Sequence, residues 1–348
     1  MTKMFTNLFM LRYRDVDPGI WMSCIKSFGI WVVSYSSLFL GNKNEYLRFL
    51  GWTLNDNSAG VRKASVLALQ SLYEAGDNIP SLGQFTGTYH RRMIQLADDV
   101  DISVAVSAIG LIKQLLRRQL LSDDDLGPLY DMLIDAPPII RRAIGELVYD
   151  HLIVQNIKTS QVGATGEDNE SSEVHIGRML RILREFSNDP LLSLYIIDVI
   201  WDVMKAMKDW KCMISMLLDE NPAIELTDMD GRNLVRMLRV SAMKAVGERI
   251  VPAMDTRKPY YNKTQKVTMP FFRSYVALTI VSLLPFIIIF GAAVGQGVLK
   301  NRKREITNAL LTRYPQLLRK YISDKAKISP LVDLIVLLKV DMYKRQEK

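Results

Sequence analysis

The side chains best able to do chemistry are His90, His151 and His175, Cys24 and Cys212, and two clusters of aspartate. A metal centre or a nucleophilic site needs several such groups converging at fixed spacing. No histidine here has a Cys, His or carboxylate partner at metal-ligand spacing, and His90 and His151 fall at surface or cap positions of helical patterns. Asp123, Asp124 and Asp125 stand where a helix begins, and carboxylates there complement the helix dipole. Asp228, Asp230 and Gly231 carry part of a calcium-loop spacing, without the third ligand position before the glycine or the closing glutamate. Both cysteines sit inside apolar helical patterns and are expected to be buried free thiols in a reducing compartment. No glycine-rich phosphate cradle follows a strand. The expectation is no catalytic residue, no metal, no cofactor and no enzyme activity.

The elements that would position a binding site are more informative. Four times an aspartate is followed, five positions on, by an aliphatic that opens a helix: Asp15/Ile20, Asp56/Val61, Asp99/Val104 and Asp135/Ile140. The aspartates are 41, 43 and 36 residues apart. Three positions after each aliphatic comes a small residue (Ser23, Ala64, Ser107, Ala143), and eight after it a large apolar one (Phe28, Leu69, Ile112, Val148). The aspartate is expected to cap the helix, the aliphatic to start its buried stripe, and the small residue to admit a neighbouring helix. Partner helices are expected over Tyr46–Leu54, Thr88–Ala97 and Leu126–Ile134. A period near 40 with two helices per unit predicts an all-α, HEAT/armadillo-like helical repeat solenoid.

Residues 156–174 are polar and lack aliphatic periodicity, which predicts a disordered loop. Helical pattern resumes over His175–Phe186, Pro190–Met207, Trp210–Leu218 and Gly231–Ile250. Ser274–Leu299 is a run of 26 uncharged residues, flanked by Arg273 and by Lys300, Arg302, Lys303 and Arg304. Hydropathy alone makes it a membrane-span candidate. Amphipathic helical sequence on both sides favours a spurious insertion into a soluble array. From Lys300 onward there are 13 basic and 5 acidic residues, 13 − 5 = +8, which equals the net charge of the whole chain. A basic tail points to a polyanion partner or to a solvated helical surface. Met1–Met10 carries no secretory signal pattern.

Four blocks carry a family resemblance: RYRDVDPGI (12–20), SCIKSFGIWVVSYSSLFL (23–40), YLRFLGWTLND (46–56) and VRKASVLALQSLY (61–73). They resemble the stromalin conservative domain of the cohesin subunit SA (stromal antigen) family. The likeness continues through 96–117, 123–135 and 137–152, where it is nearest to plant members, and returns over 306–343. It sets the expected organisation: a stromalin conservative domain over 8–96, further HEAT-like repeats over 97–155, the loop 156–174, helical repeats over 175–266, the apolar run 274–299 and a basic helical hairpin over 304–348. In that family a short charged joint stands where this chain has the apolar run.

The resemblance implies a nuclear, chromatin-associated scaffold for sister chromatid cohesion. The implied partners are the kleisin subunit of cohesin, regulators bearing aromatic peptide motifs, and DNA through non-specific phosphate contacts. A membrane would be a partner only if 274–299 spans one. It places kleisin contacts at Asn44, Arg48 and Phe49, and a regulator peptide pocket at Tyr13, Trp52, Phe85 and Tyr89. Asn44 stands where the family usually has an acid, while Trp21 and Thr88 stand where it has arginines, a pattern that suggests divergence. A membrane-anchored adaptor and a non-functional truncated copy are the alternative readings.

Overall fold

The computed structural model describes residues 9–12, 15–40, 46–155, 172–186, 188–220, 226–251, 304–310 and 313–337, and every regular element among them is helical. The chain divides into two compact units, Met1–Ala164 and Thr165–Lys348. Each is built of helices that bury one apolar stripe against their neighbours, the layering a helical repeat requires.

In the first unit the long helices are α1 (Pro18–Ser34), with the short α2 (Ser36–Leu40) behind it, α4 (Ala59–Glu74), α6 (Ile102–Arg117) and α8 (Pro138–Val148). The partner helices are α3 (Arg48–Thr53), α5 (Ile79–Gln95) and α7 (Gly127–Asp135). α4 packs between α1 and α6, and α8 packs on α6. The expected apolar positions are the core: Phe28, Leu69, Ile112 and Val148 are all buried. So are Val61, Val104 and Ile140, whereas Ile20 is 41% exposed. Before α1 the described residues hold only one short helical turn, Met10–Arg12. Of the small residues, Ala64 alone is buried. Close helix approach is made elsewhere: a Cβ on Gly29 would lie 2.6 Å from that of Ala68.

The repeat aspartates do not cap the helices. Asp17 and Asp101, two residues later, are the N-caps of α1 and α6. The repeat aspartate instead accepts the backbone N–H two residues on: Asp15 from Asp17 at 3.1 Å, Asp56 from Ser58 at 2.8 Å and Asp99 from Asp101 at 2.9 Å. This side-chain turn halts the chain and aims it into the next helix. The fourth copy cannot repeat it, because Pro137 has no N–H two residues after Asp135.

The carboxylate also reaches outside its own turn. Asp56 accepts the Trp21 indole N–H at 2.7 Å, and Asp99 receives a two-pronged contact from Arg62 at 2.7 and 2.7 Å. Trp21 and Arg62 are equivalent positions, one after the opening aliphatic of their own repeats. Each rung therefore ties the start of one long helix to the turn before the next. Trp21, the position expected to have lost its cation, keeps its rung through a neutral donor. Further rungs run from Gln70 to the Ser107 carbonyl at 2.5 Å and from Arg117 to Asp150 at 2.8 Å.

Two other expectations are corrected. α5 begins at Ile79, nine residues before Thr88, since a proline in the first turn suits a helix and Gly83 and Gly87 stand in open space. In the predicted loop, 156–171 lie outside the described residues, but 172–174 already belong to a helix.

That helix opens the second unit: α9 (Ser172–Glu185), followed by α10 (Pro190–Val203), α11 (Trp210–Leu217), α12 (Asp228–Ala245), α13 (Tyr314–Tyr321) and α14 (Lys325–Leu337). Ser241 of α12 is a buried hub, accepting the indole N–H of Trp201 at 3.0 Å and of Trp210 at 3.2 Å. Its own hydroxyl donates to the Met207 carbonyl. Asp230 closes a capping box with Thr227 and receives both Nε (2.6 Å) and Nη2 of Arg184. Burial works against its ionisation, yet the bonds from Arg184 and Thr227 outweigh burial and hold its carboxyl below the usual range. The apolar run 274–299 lies outside the described residues, and among those described no helix is long and apolar enough to cross a membrane.

Two outcomes are expected. Arg62→Ala should destabilise the chain by on the order of 3 kcal/mol in urea denaturation, because it leaves a buried carboxylate without its cation, and Arg62→Lys should recover only part of this. Asp230 has a lowered folded-state pKa, so its contribution is complete above about pH 4 and fades as pH falls through the folded value. Asp230→Asn should therefore lower the urea midpoint at neutral pH and flatten its acid-side decline, read from the fluorescence of Trp201 and Trp210.

Candidate functional site

α3 is only six residues long and has no side-chain N-cap, so it cannot stand by itself. Its neighbours hold it. Leu47, Leu50 and Leu54 are fully buried, and the Thr53 hydroxyl meets that of Ser65 on α4 at 2.5 Å. From α5, Arg92 donates to the Leu54 carbonyl at 3.1 and 3.2 Å. Tyr89 lies flat on the helix backbone at Gly51, where an added Cβ would stand 2.3 Å from the ring. Only glycine admits the ring at that distance.

Beneath α3 is an aromatic stack. Phe9 packs at 4.7 Å from Phe28 and edge-on at 5.3 Å from Phe49 (ring centroids), and Phe28 lies edge-on to Phe39 at 5.8 Å. Phe49 in turn meets Trp52 edge-on at 5.5 Å. Trp52 is 47% exposed. The guanidinium of Arg48 sits 5.3 Å from the Phe49 ring centre and 5.4 Å from that of Trp52, within cation–π range of both. The geometry is a flat ledge: one indole and one cation presented to solvent on a rigid aromatic base.

The structure separates the expected site residues by role. Arg48 and Trp52 are exposed on α3. Phe49 and Phe85 are each 3% exposed, so both belong to the core, where they support the ledge. Tyr89 is half-buried against Phe85 at 4.8 Å, and burial raises its phenol pKa above the ordinary value. Thr88 is exposed, its hydroxyl turned back to the Gln84 carbonyl at 3.0 Å. Asn44 and Tyr13 lie outside the described residues. Sequence reasoning missed Gly51 and Arg92. A glycine inside an apolar helical run is the signal that pointed to the first. A groove of about 480 Å³ in this unit lies apart from the ledge's exposed residues, along α1, with Ile20, Cys24 and Trp31 among its walls.

Among the described residues no group of His, Cys, Asp and Glu could hold a metal ion. Asp125 closes a capping box with Ser122, and Asp228 pairs with Lys327 at 2.5 Å. Cys24 and Cys212 are free and half-buried, more open than expected, and burial pushes the Cys212 thiol up to about 12. In the basic tail, Lys320 pairs with Asp219 at 2.5 Å, Lys327 also meets Asp324 at 3.0 Å, and Arg313 pairs with Glu220. These three cations are already compensated within the unit.

Two family models match the chain: "Stromalin conservative domain" over residues 14–90, and "Cohesin subunit SCC3/SA, HEAT-repeats domain" over 195–275 and 293–348. The second match breaks over 276–292, inside the apolar run. The chain is 55% identical to the Sister-chromatid cohesion protein 3 of Arabidopsis thaliana, covering 100% of this chain and 29% of that protein. It is 28% identical to the Cohesin subunit SA-3 of Homo sapiens, covering 99% and 26%, and 22% identical to the Cohesin subunit scc-3 of Caenorhabditis elegans, covering 98% and 28%. The chain thus spans under a third of the length of these relatives, and its identity is highest with the plant one of the three.

Gly51→Ala should cost about 1–3 kcal/mol by forcing Tyr89 off the helix. Combining it with Tyr89→Ala should cost less than the sum of the two single changes, a coupling that a double-mutant cycle in urea measures.

Proposed function

The chain belongs to the cohesin subunit SCC3/SA family, and from that premise we propose that it is a chromosome-associated scaffold acting in sister chromatid cohesion by binding alone. The observation that carries the reading is the α3 ledge. An indole 47% exposed on an immobile base, with a guanidinium beside it, is the residue combination that dominates protein interfaces. Its rigidity matters: Trp52 and Arg48 lose little freedom when a partner covers them, so more of the contact energy appears as affinity.

In this reading Arg48 contacts the kleisin subunit, and Trp52 with the edge of Tyr89 receives aromatic peptide motifs of regulators. DNA is held through Lys and Arg contacts to phosphate, without base specificity and with strong salt dependence. The location is the nucleus, on chromatin. The apolar run is an insertion between helical repeats, a reading supported by the break in the family match inside it.

In a co-precipitation or fluorescence-anisotropy titration with a kleisin fragment, Arg48→Glu and Trp52→Ala should each weaken binding at least about tenfold. Arg48 is exposed, so Arg48→Glu should cost no more stability in urea than an exposed cation–π contact, about 0.5–1 kcal/mol. Equal binding by wild type and both variants would overturn the assignment of this ledge.

A further inference from the structure

The second unit carries a strip of donors that its described residues leave unmet. On α12, Asn233 is 5% exposed and its side-chain Nδ2 has no acceptor among the described residues. Two turns on, Arg239 gives Nη2 to Asp333 at 3.1 Å, but its Nε is buried without an acceptor. Between them Arg236 is half-buried, and no carboxylate pairs with it among the described residues; burial alone acts on its guanidinium, lowering its pKa. Buried donors in folded proteins nearly always find an acceptor, and a half-buried cation without an acid is costly. Two unmet buried donors and one unpaired half-buried cation within two turns of one helix mark a place that calls for an acceptor.

We propose that this face of α12 receives an acidic side chain of a protein partner, its carboxylate engaging Arg236 between Asn233 and Arg239. The surroundings decide the class of ligand. Arg232 is exposed and pairs with Asp228 at 2.7 Å. Lys327 also meets Asp228 and Asp324, and Arg239 is bound to Asp333, so the strip holds four cations and three aspartates, a net charge of 4 − 3 = +1. That suits one carboxylate. A duplex backbone needs several uncompensated cations and would meet three aspartates here. Met229, 46% exposed, and the half-buried Met243 flank the strip, and their flexible thioethers suit apolar peptide side chains beside the acid. This inference rests on residues of the second unit alone and is independent of the α3 ledge.

The test uses the full chain and a labelled library of short peptides with a central Glu among Leu, Met and Phe, each with a Gln twin. Glu peptides should bind, and both the Gln twin and Arg236→Met should weaken them at least about tenfold. Arg236→Glu should in turn favour the same peptides carrying a central Lys. Arg236→Met should leave the urea midpoint equal or higher, because it replaces an unpaired cation with an apolar chain of similar reach. The proposal is overturned if no Glu-dependent binding is found, or if binding survives Arg236→Met. A lowered midpoint would make Arg236 a structural residue and likewise overturn it, as would a DNA duplex whose binding Arg236→Met abolishes.

Discussion

The first unit depends on a carboxylate with two duties. At Asp56 and at Asp99 it accepts the backbone N–H two residues on and also takes a donor from the long helix before it, Trp21 or Arg62. The first bond sets the direction of the following helix, and the second fixes where the preceding helix lies against it. Hydrophobic burial supplies the driving force for stacking but is non-directional. A charged or polar rung of fixed length removes that freedom. Because Asp99 and Arg62 are mostly shielded from water, a slipped register would leave an unpaired buried charge, which is far worse than a displaced methyl group. The indole at Trp21 meets the same geometric demand without a charge, which is why an apparent loss of a cation leaves the register intact.

The ledge follows from that register. α3 is too short to hold its own shape, and its exposed residues are useful only because α4 and α5 clamp it. The clamp is specific: a hydroxyl pair, an arginine on a terminal carbonyl, and a phenol ring that only glycine admits. Trp52 is thereby presented on a surface that does not need to be ordered when something binds. Phe49 and Phe85 are part of the same device, both of them buried.

The second unit solves its packing differently. Ser241 gathers two indoles, and Lys244 meets the carboxylate of Asp198 at 3.0 Å while lying over the Trp201 ring at 5.0 Å. The basic residues near the C-terminus are partly consumed in the same way, by Asp219, Glu220, Asp228 and Asp324. A raw count of tail charges therefore overstates what is free for a polyanion. Against that background, the half-buried Arg236 has no paired acid among the described residues.

What the sequence determined by itself was the architecture and the family. Apolar spacing is a property of each helix alone, so Phe28, Leu69, Ile112 and Val148 could be assigned to the core without coordinates. The blocks from Arg12 to Tyr73 were enough to place the chain near the stromalin conservative domain. Only the tertiary structure decided what the polar residues do. An aspartate that could cap a helix turned out to brace a turn and bind a neighbour, because its second partner is 35 residues away at Asp56 and 37 at Asp99. Of the aromatics assigned to binding, Trp52 is exposed whereas Phe49 and Phe85 are covered. Exposure depends on which helices close over a residue, and no local pattern records that. The same holds for Arg236, whose lack of a paired carboxylate among the described residues is visible only once the helices are packed.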